Sequence, residues 1–191
     1  MAKLKIDLLA QNVATLLGEP SALDCQPEDS PFPGIDSRVR ILAPGILTRL
    51  LLESDPPPLS VAKPLETSAT AGQDGVTEIC LPKDFLRLIC IKMSDWKCEV
   101  NSVISFSDPE FELQSSKWDG IKGNRSRPVA LYQIREQNET LIRLFSSQPG
   151  TTLDYGWYIP IPVIDETDRI EVADELLFPL TELLVEKIKE T

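Results

Sequence analysis

The chain has 191 residues, 42% of them hydrophobic and 26% charged, which suits one domain with its own core, or one domain with a small appendage. Its 30 acidic against 19 basic residues give a formal net charge of −11, a surface that repels phosphate backbones and argues against a sequence-reading nucleic-acid binder. There is no histidine, so the commonest metal ligand and the default general base are both missing.

The first predicted element is an amphipathic helix over Leu4–Leu17, with Ile6, Leu9, Val13, Leu16 and Leu17 at helical spacing. Gly18 is a natural stop, and Pro20 prevents continuation. Asp7, Gln11 and Asn12 interrupt the apolar stretch, so it reads as neither a signal peptide nor a membrane span. The proline-rich, acidic segment Glu19–Pro33 reads as an irregular loop. A second helix is expected from Ile35 or Asp36, with Val39, Leu42, Ala43, Ile46, Leu50 and Leu51 on its apolar face. Pro44 either kinks that helix or lies in its first turn. The run Ser54–Pro58 stops it and acts as a stiff spacer.

Beyond the spacer the pattern changes to strands and turns. Leu59–Leu65 reads as a short edge strand, since Pro64 bars a central position. A small, polar loop covers Thr67–Gly75. Val76–Leu81 and Arg87–Met93 have strand character, and Asp95-Trp96-Lys97 reads as a hairpin turn into a strand over Cys98–Ile104. Asp108 suits the cap of a short helix over Pro109–Ser116. Gly120–Ser126 is a glycine-containing basic loop. Pro128–Arg135 and Thr140–Ser146 form a hairpin, and Asp154–Pro160 is aromatic and β-prone. A closing helix presents Leu176, Leu177, Leu180, Leu183, Leu184 and Ile188 on one face, with Lys187 and Lys189 complementing its negative end. Asp174 is a candidate cap, and Pro179 places the start of the regular part near Phe178.

Runs of strands bracketed by helices point to an α+β fold. We expect mainly an antiparallel β-sandwich or partly open barrel, with N-terminal helices and a C-terminal helix packed on it. The boundary falls after residue 55. Residues 1–55 form a helical part of two helices. Residues 56–191 form a β-rich body with a short helix near 109–116 and the C-terminal helix near 175–190; one compact unit is the alternative.

No catalytic, cofactor or metal constellation emerges. Acidic neighbours such as Asp108, Glu110 and Glu112 read as solvated rather than as a facing pair. A histidine-based triad is impossible, and Gly120-Ile121-Lys122-Gly123 lacks the Ser/Thr of a phosphate loop. Cys25, Cys80, Cys90 and Cys98 have no zinc spacing. Reduced thiols are expected, with Cys80 and Cys90 buried. Trp96 and Trp157 read as core. Trp118, beside Lys117, Lys122, Arg125 and Arg127, reads as exposed and available to a partner.

Leu81-Pro82-x-Asp84-Phe85-Leu86-Arg87-Leu88 and Ile91-Lys92-Met93-x-x-Trp96 resemble the opening strand of bacteriophage neck subunits. Pro109-Glu110-Phe111-x-x-Gln114-Ser115, Arg127-Pro128-Val129-Ala130, Leu144-Phe145-Ser146-Ser147 and Tyr155-x-x-Tyr158-x-Pro160 continue the likeness in order. Leu17-Gly18-Glu19-Pro20 is similar to the opening of short-tailed-phage adaptors. The resemblance implies a non-enzymatic virion or prophage protein without cofactors, a head–tail connector, adaptor or tail-tube subunit forming a homo-oligomeric ring through which DNA passes. Its implied partners are further copies of itself, the portal and tail proteins; its implied location is the cytoplasm during assembly and then the virion. Neither a membrane nor sequence-specific nucleic acid is an expected partner. The alternative is a small cytoplasmic module recognising a peptide or sugar through Trp118 and Tyr155.

Overall fold

The computed structural model describes residues 2–18, 34–66, 68–105, 107–114, 116, 118, 122–135, 139–145 and 147–190. The loop expected over Glu19–Pro33, Cys25, Lys117 and residues 119–121 lie outside them. The fold is mixed α+β, with helices toward both ends of the chain and antiparallel sheets between them. It divides into two compact units, residues 1–61 with 161–191, and residues 62–160.

The first unit opens with strand β1 (Ala2–Lys5), which runs directly into helix α1 (Ile6–Leu17). Ile6, Leu9, Ala10, Val13 and Ala14 are buried at helical spacing, and Gly18 ends the helix at φ 72°, a left-handed position that suits glycine. Helix α2 (Ile35–Glu53) buries Val39, Ala43, Leu47 and Leu51, one residue per turn. Pro44 sits inside this helix rather than in its first turn, and the Thr48 hydroxyl donates to the Pro44 carbonyl at 2.7 Å. Strand β8 (Arg169–Val172) pairs antiparallel with β1, from Ala2 opposite Val172 to Lys5 opposite Arg169. The Lys3 ammonium meets the Glu171 carboxylate at 3.0 Å across this ladder. Helix α4 (Asp174–Lys189) follows, with Ala173 as cap, so the helix starts a turn earlier than expected. Pro179 lies beyond the first turn, so it removes the hydrogen bond that an amide there would donate to the Glu175 carbonyl.

Helices α1, α2 and α4 pack against one another pairwise. Their buried side chains, with Ile170 and Val172 of β8, form the core of this unit. The C-terminal helix therefore belongs with the N-terminal helices, and the division differs from the one expected at residue 55. The physical reason is the β1–β8 pairing, which brings residues 161–191 back to the first unit. A bidentate pair reinforces it: Arg40 of α2 reaches both carboxylate oxygens of Asp168, at 2.5 and 2.6 Å, in the turn before β8. Asp168 holds φ 61°, and its carbonyl accepts from the Ile6 amide at 3.1 Å. Asp165 caps the same turn by accepting from the Thr167 hydroxyl at 2.7 Å.

The second unit contains strands β2 (Lys63–Pro64), β3 (Thr77–Cys80), β4 (Phe85–Met93), β5 (Val129–Ile134), β6 (Thr140–Phe145) and β7 (Leu153–Pro160), with the one-turn helix α3 (Glu110–Leu113). They form two three-stranded sheets, β2-β7-β4 and β3-β6-β5. Both contribute to one core, with Leu88, Ile91, Met93 and Tyr158 from one sheet and Ile79, Ala130, Ile142 and Leu144 from the other. This is the arrangement of a small sandwich. Trp96 is buried in that core, as expected.

Several expectations change here. Leu59–Val61 is a 3-10 turn, and only Lys63–Pro64 pairs, at the edge of the sheet as Pro64 requires. Cys98–Ile104 touches the sheets through two isolated bridges, Val100 to Ile91 and Ile104 to Leu131, rather than as a strand. The neighbour of β4 is β7, with register shifts along the pairing. Cys80 is exposed, not core, because β3 alternates inward Thr77 and Ile79 with outward Glu78 and Cys80. Trp157 is 41% exposed. Gly156 faces inward, where a Cβ would lie 2.8 Å from Leu65 Cδ1, so Tyr155 and Trp157 point outward.

Candidate partner-binding site

The basic segment expected to meet a partner is held by Gln114, which follows α3 and is 8% exposed. Its amide donates to the Glu110 carbonyl at 3.2 Å, and its oxygen accepts from the Gly123 amide at 2.7 Å. One buried side chain thus ties the helical turn to the returning chain. Gly123 packs closely on Val129, whose Cβ would be 2.8 Å from an added Cβ. The next residues form a tight turn. Asn124 and Arg127 exchange backbone hydrogen bonds at 3.0 and 2.9 Å, and the Asn124 side chain accepts from the amides of Ser126 and Arg127.

A recess of about 240 Å³ results, lined by Glu110, Leu113, Gln114, Lys122, Asn124 and Arg127 among others. It is smaller than the roughly 300 Å³ at which small-molecule sites begin, so a side chain fits it better than a free ligand. Lys122 and Arg127 set against Glu110 make its rim more basic than acidic.

The four predicted site residues separate into three places. Trp118 is 74% exposed, as expected, and accepts at its carbonyl from the Lys122 amide at 3.5 Å. Lys122 and Arg127 line the recess. Arg125 turns toward the Trp96 corner, with its guanidinium 4.0 Å from Asp95 Oδ2, while its carbonyl accepts from the Lys97 amide. Tyr155 is not joined to Trp118 by a ring contact. Its hydroxyl donates to Glu99 at 3.0 Å, and Lys92 lies over its ring at 5.8 Å.

A second cluster was not anticipated. Asp84, in the turn before β4, accepts from the Tyr158 hydroxyl at 3.0 Å and pairs with the Lys63 ammonium at 2.9 Å. Phe85 stacks on Tyr158 with ring centroids 5.7 Å apart. Open clefts of about 540 and 490 Å³ flank Leu81-Pro82, the first reaching Lys63, Glu66 and Tyr158, the second Phe85, Tyr132 and Glu139. Partial burial raises the Asp84 carboxyl, but hydrogen bonds from Lys63 and Tyr158 outweigh it and hold the group below its usual value. Burial and the adjacent Asp84 carboxylate push the Tyr158 phenol up to about 12. Cys90 is raised by burial and by the nearby Glu99 charge. Each shift moves its group away from neutral pH, opposite to what general acid–base work requires. The signal for this cluster is the Leu-Pro-Lys-Asp-Phe step, but its pairing with Tyr158 is visible only in three dimensions.

The fold and these sites define a mixed α+β protein with a side-chain-sized basic recess and, at a cleft edge, a tyrosine hydrogen-bonded to an ion-paired aspartate. No protein-family model matches the chain, and no curated protein matches it. Among the described residues, no cluster of three or more Cys, Asp or Glu side chains is placed to hold a metal ion. No described helix is long and apolar enough to cross a membrane.

Proposed function

We propose that this protein is a non-enzymatic assembly subunit, a ring-forming head–tail connector of a phage or prophage particle, through which DNA passes. The observation that carries the reading is the outer surface of the three-helix unit. Leu8 and Leu16 on α1, Ile41 and Leu52 on α2 and Phe178 on α4 are all large, apolar and exposed. Scattered exposed leucines are ordinary, but outward apolar residues on every long helix suit burial against further copies. The net charge of −11 is compatible with the reading, since an acidic lumen would let DNA slide rather than adhere. The portal and tail proteins are its proposed partners, and the virion its proposed destination.

Multi-angle light scattering and negative-stain imaging of the full chain test this directly. Rings or concentration-dependent oligomers are expected. A monomer at every concentration up to those of an assembling capsid overturns the reading.

One observation favours a second reading, a peptide- or sugar-binding module. Tyr155 and Trp157 stand side by side on the outer face of β7, with Pro64 opposite Trp157 in register. Saturable binding by a monomer, weakened by Trp157→Ala or Trp118→Ala, is its distinguishing result.

A further inference from the structure

The outer faces of α2 and α4 carry the same spacing with opposite charge. On α2, Arg38, Ile41 and Arg49 stand at relative positions −3, 0 and +8; on α4, Glu175, Phe178 and Glu186 stand at the same positions. At 3.6 residues per turn, this places each charged pair on one flank of its apolar residue, about 16 Å apart along the axis. Exposure agrees with the wheel. Ile41 is 74% exposed and Phe178 68%, while the buried stripes of both helices lie elsewhere. Because α1, α2 and α4 all pack against one another, the outer faces of α2 and α4 point in different directions from their shared core.

We infer that the outer face of α2 docks on the outer face of α4 of a second copy, with the two helices antiparallel. This rests on the ring reading and names the surface that would close the ring. Antiparallel facing puts the two charged flanks on the same side. Arg38 then lies opposite Glu186, and Arg49 opposite Glu175, because each pair is separated by the same number of residues. The same register sets Phe178 level with Ile46, next to Gly45 on the outer face. Gly45 is exposed, and nothing lies within 4 Å of where its Cβ would be, so the α2 face has a shallow hollow there between Ile41 and Leu52. The occupant is a second copy because the complementary charge and the aromatic knob are both carried by this chain. Because the two faces point in different directions, the contact joins copies head to tail, the heterologous type that closes into a ring when the rotation between copies permits. It also opposes arginine to glutamate on a protein whose overall charge would otherwise keep copies apart.

Charge reversal in the full chain, read by light scattering across concentration, is the test. Arg49→Glu and Glu175→Arg are each expected to raise the concentration for assembly at least tenfold, and the double variant to restore it. Gly45→Gln fills the hollow while improving helix propensity, so it should weaken assembly about tenfold without loss of thermal stability. If the wild type forms rings and these variants leave its assembly curve unchanged, the surface assignment fails and the ring reading stands. If the wild type is monomeric throughout, both fail.

Discussion

Replacing Tyr158 by phenylalanine removes one hydroxyl and leaves the ring against Phe85. The lost contact is the 3.0 Å hydrogen bond to Asp84, an acceptor that stays paired with Lys63 at 2.9 Å. Hydrogen bonds to charged groups contribute about 1.5–3 kcal/mol, but the Asp84 side chain is 40% exposed, and water replaces part of what is lost. We expect a cost of about 1 kcal/mol at pH 7. The diagnostic part is the alkaline limb. Tyr158 has a folded pKa raised to about 12 by burial and by the adjacent carboxylate, whereas an unfolded tyrosine ionises near 10. A raised folded pKa contributes stability that is complete below the unfolded value and is lost as pH rises through the folded one. The wild type should therefore lose this contribution from about pH 10 to pH 12. Two pH units correspond to at most about 2.7 kcal/mol, and screening at a partly exposed carboxylate reduces this to on the order of 1 kcal/mol. That matches the hydrogen-bond estimate, as it should if one contact accounts for both. Urea denaturation of both proteins, followed by tryptophan fluorescence from pH 7 to 11.5, should show their stabilities converging. A difference that stays constant or widens over that range refutes the reasoning.

Gly75→Ala meets two obstacles, a φ of 74° and a Cβ position 2.6 Å from the Ser147 carbonyl oxygen. A loss of about 2 kcal/mol or more is expected by chemical denaturation. Gln114→Ala leaves the Gly123 amide without its side-chain acceptor, and should cost about 1–2 kcal/mol and speed hydrogen exchange at residues 122–127. Thiol reagents at pH 8 should modify exposed Cys80 and Cys98 before Cys90, which is half-buried and whose pKa burial and Glu99 raise; mass spectrometry after limited labelling reads the order.

Much of the architecture follows from local pattern. Three helices, the β5–β6 hairpin and strands β3, β4 and β7 carry strong periodicity or turn residues, and their places were legible. Strands β1 and β8 were not, because four residues such as Arg169-Ile170-Glu171-Val172 make a weak signal and their pairing spans almost the whole chain. Cys80 and Trp157 were misplaced for one reason. An apolar residue beside other apolar residues reads as core, but strand alternation, and Gly156 facing inward, sends these two outward. At the candidate site, the exposure of Trp118 could be read from its basic neighbours. The turning of Arg125 to Asp95 could not, since it depends on a corner about thirty residues away in sequence. Nor could Gln114, whose role is set by a backbone amide across the recess.

The first unit is assembled from both ends of the chain, with β1 laid against β8. During synthesis its opening helices wait for the closing one before their core can be completed, while residues 62–160 are already whole. The intervening body also begins and ends on adjacent strands, Lys63 standing opposite Tyr158. It is in effect a cassette inserted into a helical host, its two ends a strand's width apart. Cutting at those ends and joining the host with a short linker should separate two independently folding proteins, the later-completed one being the half that translation starts first.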